Sequence, residues 1–308
     1  MEQVLTIFQA LADRTRLRIV ALLREMELSI GEVAQVLGQS QPRVSRHVKI
    51  LADAGVIERR KEGSWVFLTL GAPDVLEPVF MALDRWTARE PAEIRADRIR
   101  LQAIRDVRAL AAEDWFENHA VEWDALRSLH VSEQEVETAI VKTLSAFPIG
   151  RLVDIGTGTG RMMELLGSGA DTVIGFDRSP AMLRLARTKL AEAGLHQADL
   201  RQGDFQALPL SEGSADVAVM HQVLHYAQHP AAVIAEAARI LDASGRLLVI
   251  DFASHNREEL RMRDAHVRLG FTDAQMATWF RAAGLVSAEP VALEGKLTVK
   301  LWLGQRPN

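Results

Sequence analysis

The chain has 308 residues, of which 48% are apolar and 25% charged. That length favours two domains over one, and the composition supports sizeable cores and excludes wholesale disorder. There is no cysteine, which removes disulfides, thiolate nucleophiles and thiolate metal sites together. The formal net charge of −5 argues against a uniformly basic nucleic-acid binder. Even so, Arg43, Arg46, Lys49, Arg59, Arg60 and Lys61 fall close together and leave a local basic face. No window offers the ~18 uncharged apolar residues of a membrane span. Glu2 and Asp13 do not suit a signal peptide, so a cytoplasmic protein without a membrane partner is expected.

In chain order, Val4, Leu5, Phe8 and Leu11 keep helical spacing, as do Leu17, Ile19, Val20, Leu22 and Leu23. Ser29 is placed to cap a short helix that Gly38 ends. Ser40 is placed to cap the next, with Pro42 in its first turn and Val44, Val48, Ile50 and Leu51 facing inward until Gly55 stops it. Residues 56–60 and 65–70 read as two strands around a charged turn. From about 73 to 145 the pattern is helical, including an evenly charged run from Arg95 to Arg108 that reads as a solvated face. From 148 onward strands and helices alternate, as in a parallel sheet covered by helices.

Two short helices joined at a glycine, the second polar and basic, form the unit that offers one helix to the DNA major groove. The same pattern also fits a plain helical hairpin. On the DNA reading, Ser40, Gln41, Arg43, Ser45, Arg46 and His47 face bases or phosphates, and the hairpin residues Arg59, Arg60 and Lys61 face phosphate or the minor groove. Leu11 to Ile19, Val33-Ala34, Ser40 to Leu51 and Ala54-Gly55-Val56-Ile57 together resemble the ArsR/SmtB repressor family over roughly residues 1–85. The resemblance implies a homodimer on palindromic double-stranded DNA, with the first helix and a helix near 73–86 at the interface. It also implies a departure. Ser29 and Gly31 stand where the family's metal sensors carry a Cys-x-Cys pair, and the helix near 75–90 lacks the histidines of the family's other site. No metal is expected, since soft-metal ligands are missing.

Arg151 to Ile155 is an apolar strand running into Gly156-Thr157-Gly158-Thr159-Gly160, where glycines let backbone N–H groups approach a ligand. A second strand, Val173 to Phe176, ends in Asp177, about where a dinucleotide fold places its ribose carboxylate. To this point a dinucleotide and a nucleoside donor fit equally. An acid before the glycines, Asp154, and the pair Asp204-Phe205, suited to an adenine amine and ring, favour S-adenosylmethionine (SAM). Residues 148–308 resemble the class I SAM-dependent methyltransferases, and Val286–Leu293 with Leu297–Gly304 suits the antiparallel hairpin that closes that fold. The resemblance places Asp154, Gly156, Thr157, Gly158, Gly160, Asp177, Arg178, Met182, Asp204, Phe205 and His221 around SAM or its demethylated product S-adenosylhomocysteine (SAH). Residues 111–124 resemble the helical lid of such enzymes, and equally suit aromatics filling a core.

No catalytic residue is assigned. Methyl transfer needs little acid–base help, so this leaves activity open. His221 and His225 stand four apart but lack a metal-site motif, and Asp251 with Phe252 and His255 either lines an acceptor pocket or sits in a satisfied loop. The expected architecture is therefore two-domain. Residues 1–90 form an α+β winged helix-turn-helix for DNA binding and dimerisation, and 91–147 a helical linker and lid. Residues 148–308 form an α/β Rossmann-like methyltransferase fold. The whole chain resembles ArsR-type regulators with a fused methyltransferase-like domain that respond to SAH and control methionine-cycle genes. The expected function is a DNA-binding regulator, a repressor by family habit, with SAH or SAM as effector. The alternatives are a working small-molecule methyltransferase fused to a DNA-binding domain, and a DNA-binding protein whose second domain is only a scaffold.

Overall fold

The computed structural model describes residues 2–62, 65–86, 92–104 and 131–307. The chain forms two compact units, Met1–Leu110 and Ala111–Asn308.

The first unit runs α1 (Glu2–Leu11), α2 (Arg14–Glu25), β1 (Leu28–Ser29), α3 (Ile30–Leu37), α4 (Gln41–Asp53), β2 (Ile57–Glu62), β3 (Trp65–Leu70) and α5 (Pro73–Trp86). Residues 92–104 add a further helix, α6. Local chemistry sets these boundaries. Asp13 caps α2 by accepting from Arg16 N–H, and Ser29 with Glu32 forms a reciprocal capping box on α3. Gly38 ends α3 at φ 64°, a left-handed conformation that glycine adopts at no steric cost. Ser40 caps α4 by position only, since its hydroxyl makes no capping hydrogen bond.

Ile19, Leu28, Val33, Val36, Val44, Val48, Leu51 and Leu68 are fully buried together and form the core. Ile50, expected among them, is 44% exposed. Val44, Val48 and Leu51 follow the 4-then-3 spacing of one helix face, and Ile50 falls beside it. The strands make an antiparallel sheet in the order β1-β3-β2. Helix α6 packs Leu101 into this core. The stretch read from sequence as a linker is thus divided, with 92–104 on the first unit and Glu133–Leu144 on the second. The lid residues 111–124 lie outside the described residues.

The second unit begins with α7 (Glu133–Leu144), β4 (Gly150–Ile155), α8 (Arg161–Leu166), β5 (Ala170–Asp177), α9 (Pro180–Glu192), β6 (Asp199–Gln202) and β7 (Ala215–His221). It continues with α10 (Pro230–Ile240), β8 (Leu241–Phe252), α11 (Glu259–Arg263), α12 (Asp273–Ala282), β9 (Val286–Ser287), β10 (Val291–Leu293) and β11 (Val299–Gln305). The sheet order is β10-β11-β8-β7-β4-β5-β6, with β9 also paired to β11. Strands β4 to β8 are parallel, and β9 and β10 run antiparallel to β11, which itself runs antiparallel to β8.

Alternation along the strands buries both faces. Val153, Ile155, Ala218, Met220, Leu247 and Val249 meet α10 and α12 through Val233, Ile234, Met276 and Phe280. Leu152, Val217, Val219, Leu248 and Ile250 meet α7 and α8 through Val136, Ile140, Met162 and Met163. The chain winds from β4 outward to β6 and then returns to β7 on the other side of β4. That reversal puts the sheet's switch point at the carboxyl ends of β4 and β7, the place where open α/β sheets take their ligands.

Candidate functional site

In the first unit, α4 exposes Gln41, Arg43, Ser45, Arg46 and Lys49, with Ser40 exposed at its start. The Gln41 amide lies close over Gly31, where an added Cβ would stand 3.0 Å from Nε2. His47 differs from these neighbours. It is half-buried, with Nδ1 3.6 Å from Asp13 Oδ1. Burial opposes ionisation of Asp13, but the Arg16 N–H and the Arg16 and His47 charges outweigh it and hold the carboxyl below its usual range. On β2, Arg59 and Lys61 are exposed, whereas Arg60 Nη2 sits 2.8 Å from Glu27 Oε1. The expected basic face therefore has exposed members and members tied to acidic partners from other elements. Sequence spacing carried no signal for those two pairings.

In the second unit, Gly156, Gly158 and Gly160 adopt φ of 75°, 53° and 86°, which coils the turn after β4 back on itself. The N–H groups of Gly156 and Thr157 both donate to Phe176 O at 2.8 Å, and Thr157 Oγ1 donates to Asp154 Oδ2 at 2.6 Å. Asp177, at the end of β5, accepts from Gly158 N–H at 2.8 Å and from Ser179 N–H at 2.9 Å. Burial pushes the Asp177 carboxyl up, against the N–H groups of Ser179, Gly158 and Arg178. Asp154, Gly156, Thr157, Gly158 and Asp177 are thus one hydrogen-bonded assembly, and Gly160 closes it by donating to Thr157 O. Arg161, next in the chain, reaches α7 through a two-point ion pair with Glu137, at 2.6 and 2.9 Å.

The remaining predicted residues lie around this assembly. Gly203 N–H donates to Asp177 O, which brings the segment bearing Asp204 and half-buried Phe205 beside β5. Gln202 Nε2 donates to Arg178 O at 3.0 Å. Met182, in the first turn of α9, is 1% exposed and packs with Ala181 and Tyr226. His221 ends β7, buried. Asp154, Asp177 and Asp204 are acceptor-only when ionised, which suits a ligand presenting hydroxyls, an ammonium and an adenine amine, and disfavours the pyrophosphate of a dinucleotide. The residues present fit an adenosyl ligand.

One pair was not legible as a pair. His225 Nδ1 lies 2.7 Å from Asp251 Oδ1, and His225 N–H donates to Asp251 Oδ2 at 3.1 Å. The two side chains are 1% and 0% exposed.

Comparison with known proteins agrees with both units. Residues 13–59 match the model of the bacterial regulatory protein arsR family, and residues 153–249 match a methyltransferase domain model. The arsenical resistance operon repressor of Escherichia coli (strain K12) is 38% identical over 110 residues, which is 35% of this chain and 85% of that protein. An uncharacterized methyltransferase of Bacillus subtilis (strain 168), YcgJ, is 26% identical over 152 residues, covering 46% of this chain and 57% of that protein. Among solved structures, magnesium protoporphyrin IX methyltransferase from Synechocystis PCC 6803, with bound SAH, superposes with a TM-score of 0.53 at 18% identity, over 64% of this chain and 99% of that one. A likeness at that identity shows the fold of the second unit. Among the described residues no helix is long and apolar enough to cross a membrane. The chain belongs to the arsR family of bacterial regulatory proteins and joins that family's helix-turn-helix domain to a methyltransferase domain of Rossmann-like fold.

Proposed function

We propose that the chain is a cytoplasmic, homodimeric transcriptional regulator, acting as a repressor, whose methyltransferase domain binds SAM or SAH as the effector. The observation that carries this reading is the hydrogen-bonded assembly of the Gly156–Gly160 turn with Asp154 and Asp177. It supplies an adenosyl site to a chain whose helix-turn-helix has no thiolate with which to sense a soft metal. Gln41, Arg43, Ser45 and Arg46 read base edges and phosphates, and Arg59 and Lys61 hold the backbone. Val4, Leu5 and Phe8 on α1 and Met81 on α5 are 49%, 56%, 44% and 57% exposed, which gives a second copy of the chain an apolar face to cover.

An effector acts here only through unequal affinity for DNA-competent and DNA-incompetent dimers. The site itself is tested by equilibrium dialysis of SAH and SAM against the full chain and Asp177→Ala. Binding to the wild type that the substitution weakens at least tenfold supports the reading, and no binding of either ligand to the wild type refutes it.

A further inference from the structure

We infer that the buried His225–Asp251 pair sets how the adenosyl site weighs a sulfonium against a thioether, its carboxylate favouring SAM over SAH. This inference rests on the reading of the switch point as an adenosyl site. Asp177 and the Gly-rich turn occupy the β4–β5 side of the switch point and take the ribose. The sulfur and the amino-acid arm are left to the β4–β7 side.

That side is closed by the chain leaving β7. Gln222 turns it with φ 52° and donates its N–H to Ile250 O at 2.7 Å. Val223 then packs so tightly on the Gly-rich turn that a Cβ at Gly156 would lie 2.3 Å from Val223 Cγ2. Two residues further on, His225 meets Asp251 of β8. The pair is therefore buried at the carboxyl end of β8, one residue past the Ile250 that pairs with His221 of β7.

Three N–H donors converge on Asp251: His225 Nδ1, His225 backbone and Phe252 backbone, the last at 2.7 Å. A carboxylate only accepts, so the His225 ring presents its Nδ1–H to Asp251. Nε2 is buried and no group among the described residues hydrogen-bonds it. Around the ring stand Tyr226 at 4.1 Å, His266 at 4.2 Å and Phe252 at 5.2 Å between centroids, and Arg268 N–H donates to His225 O at 2.9 Å. Burial, then Asp264 and Asp251, raise the Tyr226 phenol well above its ordinary range, so it stays neutral. Water screens a charge enclosed in this way much less than a surface charge, so its field reaches several ångströms even with the Arg268 guanidinium in the same cluster. SAM and SAH differ by one methyl and one positive charge. A fixed carboxylate on the sulfur side therefore shifts their ratio with little change in what both share.

The test uses the full chain, with SAM and SAH dissociation constants measured for wild type, Asp251→Asn and His225→Gln. Asp251→Asn removes the charge at nearly constant shape and is expected to lower Kd(SAH)/Kd(SAM) by about tenfold or more. His225→Gln keeps the carboxylate and is expected to leave the ratio within roughly threefold of wild type. An unchanged ratio in folded Asp251→Asn overturns the inference. Should that variant not fold, Asp251→Ser is measured in its place, and an unchanged ratio in folded Asp251→Ser overturns the inference. Absence of binding by either ligand to the wild type is a different failure, that of the adenosyl site itself.

Discussion

Arg18 on α2 grips Asp97 on α6 with two hydrogen bonds, Nε to Oδ2 at 2.6 Å and Nη2 to Oδ1 at 2.7 Å, and Asp97 is 1% exposed. Arg100, one turn further along α6, also pairs with Asp97 and donates through Nε to Val36 O, in the last turn of α3. The helix that follows the wing and α5 is thereby fastened to two helices of the DNA-binding unit.

Removing the acid should loosen that fastening. Asp97→Ala leaves two guanidinium groups without their buried partner and is expected to destabilise the first unit by about 2–4 kcal/mol. Urea unfolding followed by circular dichroism measures this. A loss below about 0.5 kcal/mol, the size seen for exposed ion pairs, would show that the contact is not worth its geometry.

The basic residues should separate by their partners. Arg43→Ala and Gln41→Ala are expected to weaken a cognate operator by ~1–3 kcal/mol while affecting unrelated DNA less. Arg59→Ala and Lys61→Ala should weaken all sequences alike and each reduce the slope of log K against log salt by ~0.9. Arg60 is held by Glu27, so Arg60→Ala should leave that slope nearly unchanged. Equal slopes for all three wing variants would contradict the distinction.

Glycine substitutions should rank by backbone and space together. Gly156 has φ 75° and no room for a Cβ, so Gly156→Ala is expected to cost about 3 kcal/mol and to abolish SAH binding. Gly38 has φ 64° with nothing within 4 Å of an added Cβ, so Gly38→Ala should cost roughly 1 kcal/mol. Thermal unfolding of the two variants, with and without SAH, checks the order.

Ligand affinity should depend on pH through Asp177, whose carboxyl is raised above the ordinary 3.8 by burial. Ribose hydroxyls donate, so they bind the ionised form. SAH affinity is expected to hold above the raised value and to decline as pH falls through it. In the free protein the sign is opposite: an elevated carboxyl favours folding at pH below its ordinary value and loses that contribution as pH rises through the elevated one. Calorimetric titration between pH 7 and 4 tests the first statement, and Asp177→Asn should flatten the profile.

What was legible in the sequence was local. The Ser29 cap, the stop at Gly38, the turn after β4 and the acid ending β5 are each set within a few residues by local hydrogen bonding and backbone sterics. The pairings that modify the sites were not legible. Arg18 and Asp97 are 79 positions apart, and His225 and Asp251 are 26 apart. Each of these residues taken singly looks like an ordinary surface charge or loop side chain. Only the packing of α6 on α2, or of the chain after β7 on β8, makes it a buried partner. The same holds for His47 and Arg60, whose types suit DNA but whose nearest charges, Asp13 and Glu27, come from other elements.

An adenosyl ligand is proposed to govern DNA affinity. The most direct test is equilibrium binding of the full-length chain to the DNA upstream of its own gene, titrated with SAH and separately with SAM. One of the two is expected to change DNA affinity at least tenfold, a coupling of about 1.4 kcal/mol. Tight DNA binding indifferent to both ligands would contradict it.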